Sequence, residues 1–259
     1  MTIGICTDSG AQLPADLAAR LGIQVVPLTV RVVDQEFLEG HDVDADQLYD
    51  LLSADDGDVD IVPPSPGQCA AAYEDLVDAG CTSIVAVHTS NGGCNTLSAA
   101  RLASRAVPVP VRIVDTASSS FGVGCAAWAA ADVARDGGGV DDVATAAETI
   151  GDRVEHVFTS GLEDRAYRVE LGFFPDPTEL ATATTCRETA TLMAAYALRT
   201  PGPLRVGVGA AGAEAVPLAD QLASNLVAAG RELELVRYRI GAGVARRLRP
   251  GTVGCFVVR

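Results

Sequence analysis

The amino-acid sequence predicts an α/β protein built on a mainly parallel sheet, and three observations carry that prediction. Short runs rich in β-branched residues alternate with alanine- and leucine-rich segments of helical period along most of the 259 residues. That alternation is the βαβ signature of strands buried between helices. Two strand-like runs empty into turns rich in hydroxyls and glycine, Thr7-Asp8-Ser9-Gly10 and Thr89-Ser90-Asn91-Gly92-Gly93-Cys94-Asn95-Thr96, each followed by a helical segment. Open α/β sheets build their ligand sites at such carboxyl ends of strands. Near residue 155 the rhythm changes, with glycine and proline gathered in Gly172-Phe173-Phe174-Pro175-Asp176-Pro177. Two domains are therefore expected, over residues 1–153 and 154–259.

In chain order, the β-branched runs place strands at Ile3–Cys6, Ile23–Val33, Ile84–His88, Val111–Asp115, Val154–Thr159, Leu204–Val208, Leu233–Arg239 and Val253–Val258. Helical spacing of alanine and leucine places helices at Pro14–Leu21, Ala45–Leu52, Pro66–Ala79, Thr96–Arg105, Ser119–Asp136, Val140–Arg153, Arg187–Leu198 and Glu214–Ala229. Asp136-Gly137-Gly138-Gly139 reads as a helix stop, with Asp141 or Asp142 as the cap of the next helix.

Composition removes several function classes. A hydrophobic fraction of 48% excludes a disordered chain, and a net charge of −15 argues against a nucleic-acid binder, which needs a basic face. All 19 basic residues are arginine, so a Walker lysine, a Schiff-base lysine and a lysine general base are ruled out. Seven cysteines without CxxC or Cys/His spacing read as reduced core residues rather than a metal site or a disulfide framework. The chain opens on no basic-then-apolar leader, and its longest apolar stretch, Val123 to Ala131, is far short of the ~20 residues that span a bilayer. A soluble, cytoplasmic protein is expected.

The turn near residue 90 is the leading site candidate. A helix start there offers unpaired N–H groups and a partial positive charge to an anion, with Ser90 and Asn95 assisting Gly93 and Cys94. The plainer reading is a tight turn in which Asn or Thr caps the helix. Cys94 also fits a nucleophile on an elbow, but His41, His88 and His156 stand without motif context. Thr7, Asp8 and Ser9 read either as a pocket rim or as residues that organise their own turn. Ser119, within Ser118-Ser119-Ser120, reads as rim or as a cap of the following helix.

The order of motifs along the chain resembles the DegV family of bacterial fatty-acid-binding proteins. Thr7-Asp8-Ser9 with Pro14 and Ile23-Gln24-Val25-Val26-Pro27-Leu28-Thr29-Val30 is similar to the family's opening. Asp34-Gln35-Glu36-Phe37-Leu38-Glu39-Gly40-His41-Asp42 with Tyr49, then Pro64-Ser65-Pro66-Gly67 with Tyr73, then Thr89-Ser90 with Ser98-Ala99 follow in family order. Val114-Asp115-Thr116, Ser119-Ser120 and Gly122-Val123-Gly124 come next, and Ile240-Gly241 with Pro250-Gly251-Thr252-Val253-Gly254 closes the series. The likeness weakens between Gly161 and Arg187. Arg168 is the nearest match there to the family's arginine after a glycine pair, with Arg165 competing for it.

The resemblance implies an N-terminal three-layer α/β/α domain with a parallel sheet and a C-terminal two-layer α/β domain with a mixed sheet. It implies a carrier and no enzyme: a long-chain fatty acid held with its carboxylate near the domain interface, presented to a separate fatty acid kinase, with no cofactor and no metal. Three head-group positions depart from the family. Ile61 stands where the family has a threonine, Gly93 where it has a serine and Arg247 where it has a histidine, while Ser65 keeps its place. An arginine gives bidentate, charge-assisted bonds to a carboxylate, so Arg247 is expected to supply the anchor. The bland reading puts Arg246, Arg247 and Arg249 in a solvated basic patch. Alternatives in function are an enzyme acting on an acyl or phosphorylated small molecule in the same cleft, or a degenerate paralogue that no longer binds fatty acid.

Overall fold

A computed structural model describes residues 2–32, 34–54, 59–89, 96–163, 166–172, 177–245 and 250–259. The chain divides into two compact units, Met1–Asp152 with Gly241–Val244, and Arg153–Ile240 with Ala245–Arg259. The four residues Gly241–Val244, which the sequence assigns to the second domain, thus count with the first.

The elements of the first unit are β1 (Ile3–Asp8), α1 (Ala15–Leu21), β2 (Ile23–Val26), β3 (Thr29–Val32), β4 (Gln35–Leu38), α2 (Ala45–Ala54), β5 (Val59–Val62), α3 (Pro66–Asp78), β6 (Ser83–His88), α4 (Leu97–Ala103), β7 (Val111–Asp115), α5 (Phe121–Arg135) and α6 (Val140–Thr149). Strands β2, β1, β6 and β7 lie side by side in that order, all parallel. Side chains alternate across a strand, and the sheet buries both faces accordingly. Cys6, Ile84 and Ala86 pack with Cys69, Ala72, Tyr73 and Leu76 of α3 and with Ala99 and Ala103 of α4. The intervening Ile5, Val85 and Val87 are equally buried, on the side where α5 and α6 lie against the strands. This is the three-layer α/β/α arrangement. Ser65 starts α3 by accepting from Gln68 N while the Gln68 side chain accepts from Ser65 N, a capping box with Pro66 at the first helical position.

Two expectations need correcting in this unit. The single strand expected over Ile23–Val33 is two strands, because Pro27 has no N–H to continue a ladder. Beyond the break, β3 is the centre of a separate antiparallel sheet ordered β4, β3, β5. The cap of α6 is Gly139, whose N–H donates to Asp142 Oδ2 at 3.1 Å; Asp142 reaches back from inside the helix rather than preceding it.

The second unit contains β8 (Val154–Glu163), β9 (Ala166–Leu171), β10 (Thr178–Ala183), α7 (Cys186–Ala197), β11 (Leu204–Ala210), α8 (Val216–Ala228), β12 (Leu233–Arg239), and, after α9 (Ala242–Ala245), β13 (Val253–Val258). Its six-stranded sheet runs β10, β9, β8, β13, β11, β12, antiparallel throughout except for the β11–β12 pair. One face carries Val157, Val169, Val206, Val208, Val253, Cys255 and Val257, packed with Ala190, Met193, Ala194 and Ala197 of α7 and Leu218, Ala219, Leu222 and Leu226 of α8. That gives a two-layer α/β unit with a mixed sheet. β9 and β10 were not legible in the sequence.

Candidate functional site

The carboxyl ends of β1 and β6 gather a set of polar side chains whose bonds are made among themselves. Thr7 is fully buried, and its hydroxyl donates to the Val87 carbonyl at 2.7 Å, a side-chain tie between the two central strands. Asp8 stops β1: Oδ1 accepts from Gly10 N at 3.0 Å to cap the short 3-10 turn Ser9–Ala11, and Oδ2 accepts from His88 Nδ1 at 2.8 Å. The imidazole of His88 is enclosed, and its Nε2 has no hydrogen-bond partner. Ser9 donates to Glu39 Oε2 at 2.5 Å and accepts from Leu28 N at 2.9 Å. Glu39 Oε1 in turn accepts from Ala242 N at 2.5 Å. On the neighbouring turn, the Ser120 hydroxyl donates to Gln12 Oε1 at 2.5 Å, and Thr89 donates to the Ser118 carbonyl at 2.5 Å.

Burial raises several titratable groups in and around this cluster. Burial pushes the Glu39 carboxyl above the ordinary carboxylate range and repulsion from Asp8 adds to it, against the opposing bonds from Ser9 and Ala242. Burial likewise raises the Tyr49 phenol, with Glu39 contributing. The nearby thiols are pushed up as well, Cys69 to about 11 by burial and by Asp8, and Cys6 by burial, Cys69 and Asp8. Such thiols stay protonated at neutral pH and are poor nucleophiles. Of the six described cysteines all but Cys186 are buried, as expected of core residues. Among the described residues no group of His, Cys, Asp and Glu is placed to hold a metal ion. No helix described is long and apolar enough to cross a membrane.

Of the residues singled out from sequence, the structure brings Thr7, Asp8 and Ser9 together and shows each committed to local bonds. Ser119 accepts from Gly122 N at 3.1 Å through its carbonyl, at the entry to α5. The expected side-chain cap of that helix is absent. Ser120 holds the N-cap position with a positive φ of 55°, and its hydroxyl goes to Gln12 instead. Ile61 lies on β5 opposite Val30 and is partly buried, while Ser65 is exposed and caps α3. Arg168 lies exposed on β9 opposite Thr182, in the second unit. Ser90, Gly93, Cys94, Asn95, Arg165 and Arg247 fall outside the described residues. The sequence reading missed His88, Glu39 and Gln12. For His88 a signal existed: parallel pairing of Cys6 with Ala86 carries Asp8 alongside residue 88 two positions on.

A parallel four-stranded sheet with helices on both faces, followed by a mixed six-stranded sheet with helices on one, defines a two-unit α/β protein. Residues 2–161 match the family described as an uncharacterised protein, DegV family. The chain belongs to the DegV family. A DegV domain-containing protein of Streptomyces coelicolor is 40% identical over 146 residues, 56% of this chain and 52% of that protein. One from Mycobacterium tuberculosis is 34% identical over 161 residues, 62% of this chain and 55% of the relative. The chain thus spans about half the length of these relatives. In structure it is similar to a DegV family protein from Thermus thermophilus described by its fatty acid binding, with TM-score 0.82, 22% identity, and coverage of 100% of this chain and 99% of that one. DegV of Bacillus subtilis, a fatty acid binding protein, gives TM-score 0.79 at 20% identity with both chains covered completely, 100% each. A stearic acid-binding protein from Eubacterium ventriosum gives TM-score 0.79 at 16% identity, covering 100% and 98%.

Proposed function

We propose that this chain is a carrier that binds a long-chain fatty acid and presents its carboxylate to a separate fatty acid kinase, without turning the acid over itself. The observation that supports this reading is the end-to-end likeness, at TM-scores near 0.8, to proteins described as binding fatty acids. The raised thiols and the enclosed His88 fit a carrier, since neither offers an activated nucleophile to a substrate. We assign the head group to Ser90, Gly93, Cys94 and Asn95 together with Arg247, flanked by Ile61 and Ser65. Thr7, Asp8, Ser9, Ser119 and Arg168 are assigned to the rim. The role of the first three is to fix the strand ends, because their oxygens already have partners.

Native mass spectrometry of the purified protein, followed by denaturing extraction, tests the reading. A long-chain acid bound once per chain is expected, and Arg247→Ala should weaken it by about tenfold, the loss of one charge-assisted bond. No binding at saturating lipid overturns the proposal. Ester or phosphate hydrolysis by the chain alone, abolished in Cys94→Ala, replaces it with an enzyme.

A further inference from the structure

The seam between β1 and β6 is the place in the first unit where the chain reverses its direction of winding. β1 leads through α1 to β2 on one side of the sheet order β2, β1, β6, β7, and β6 leads through α4 to β7 on the other. Parallel sheets take their guests outside the carboxyl ends of the strands at such a reversal. The residues that end these two strands are Asp8 and His88. Asp8 Oδ2 accepts from His88 Nδ1 at 2.8 Å, which fixes a proton on Nδ1 and leaves Nε2 as the open position of the ring. Nε2 is buried and bonds to no group of the protein.

A second enclosed polar atom comes level with it. Thr96, at the head of α4, is fully buried, and its hydroxyl has no partner either. On that side of the sheet Ile84 and Ala86 of β6 share a cluster with Ala99 and Ala103 of α4. His88 continues the strand row by one more alternation, and Thr96 continues the helix row by one turn. α4 returns from the end of β6 to the start of β7, so it runs opposite to the strands. From Ile84 to His88 a strand climbs about 13 Å, and from Ala103 to Thr96 a helix climbs about 10 Å. Native proteins rarely bury one polar atom without a partner, and two at the carboxyl end of one strand point to a guest.

We infer that His88 Nε2 and Thr96 Oγ1 are head-group contacts for a long-chain carboxylic acid, with Asp8 as the residue that positions the imidazole. This rests on the carrier reading above and adds to it two side chains that bracket Ser90–Asn95 in the sequence. A carboxyl group suits the two atoms. One of its oxygens shares a proton with Nε2, on whichever of the two it rides, and the other accepts from the threonine hydroxyl. The imidazole stands between that carboxyl and Asp8, so the two acids meet through a ring and its protons rather than as bare anions. A methyl ester of the same chain has neither a proton to share nor a charge.

The test is the imidazole nitrogen NMR spectrum of histidine-labelled protein, titrated with palmitic acid and with methyl palmitate while binding is counted by native mass spectrometry. The acid is expected to move the Nε2 resonance of His88 and to leave those of His41 and His156 in place, and the ester is expected to move none of them. Thr96→Val keeps the shape of the side chain and loses its hydroxyl. It should weaken the acid by about tenfold and the ester by about twofold at most. Acid bound once per chain with Nε2 unmoved overturns the inference and leaves the carrier reading standing. Equal movement by acid and ester, or an acid affinity in Thr96→Val that matches the native one, overturns it in the same way. Nε2 in contact with a water that the acid does not displace assigns both atoms to enclosed solvent and also overturns it. No acid bound at saturation overturns the carrier reading and this inference together. Should Thr96→Val not fold, the native titration with acid and ester decides.

Discussion

Asp8 Oδ2 and His88 Nδ1 stand 2.8 Å apart across the seam between β1 and β6, both enclosed, joining residues 80 positions apart. The pair sits where two parallel strands end together, and Asp8 also caps the turn that follows. Removing the carboxylate therefore strips the imidazole of its one hydrogen bond among the described residues and the Gly10 N–H of its acceptor. Breaking a buried pair from one side costs about 3–5 kcal/mol. Asp8→Ala is expected to lose about 3 kcal/mol of unfolding free energy in urea titration at pH 7, and Asp8→Asn less, since its amide oxygen still accepts one bond. A loss below about 1 kcal/mol in Asp8→Ala would show that the seam is held by Thr7 and the apolar layer instead.

Ser65 has two readings that one variant separates. Its hydroxyl accepts from Gln68 N at 3.2 Å as the N-cap of α3, and it was also proposed to line the head-group site. An N-cap serine replaced by alanine costs about 1 kcal/mol. Ser65→Ala is expected to lower stability by that amount, and Ser65→Asp to restore it. Fatty acid affinity measured well below the melting transition discriminates the two roles: an unchanged value leaves Ser65 as a cap alone.

Gly124 is the point at which α5 meets the turn after β1. A methyl group there would come within 2.5 Å of the Ala11 carbonyl oxygen and 3.1 Å of the Phe121 ring. Alanine would gain about 1 kcal/mol of helix propensity, but a backbone oxygen cannot swing aside as a side chain can. Overpacking costs about 1–3 kcal/mol, so Gly124→Ala is expected to be destabilising by about 1–2 kcal/mol net. Gly151→Ala, with open space at its Cβ, is the control and should be near neutral. Thermal melts of both variants check the difference.

How much of this was legible depended on the range over which each signal acts. β13 falls where its run placed it because a strand buried along its whole length writes itself as a continuous apolar run, while β7 and β12, at sheet edges and only partly buried, were marked by β-branched or other apolar residues alternating with charged ones. β4 and β5 are four residues each and only half buried on an open antiparallel sheet, so Gln35-Glu36-Phe37-Leu38 carried no such run. β9 and β10 fail in the same way: Glu179 and Arg168 point outward and a register shift interrupts the pairing. Thr7-Asp8-Ser9 stood out in sequence because a strand end needs such residues. Nothing local to Glu39 or Ala242 announces that they meet, since 203 residues of sequence separate them.

His156 provides the pH signature of the second unit. Its ring lies 4.1 Å from that of Phe256 and 4.9 Å from that of Phe158, nearly parallel to both, and Nδ1 donates to the Gly172 carbonyl at 3.0 Å. Burial among these rings holds its pKa down to about 4, against the opposing pull of the carbonyl. An unfolded chain takes up this proton near pH 6.5, whereas the folded chain does not until about 4. Stability is therefore full above pH 6.5 and falls as pH drops through that window. Glu155 follows a different range: burial raises it, but the bonds and charges of Arg259 and Arg199 outweigh that and hold it below 4.5, so its stabilisation is lost only in stronger acid. Between pH 6.5 and 5 His156 therefore contributes a loss of stability as acid is added, which Glu155 does not share. Urea titrations across that interval should show declining stability in the native protein and a flatter profile in His156→Gln, which keeps a donor for Gly172 and cannot take up a proton. An equally steep slope in the variant would place the titrating group elsewhere and leave the stacked imidazole with a packing role alone.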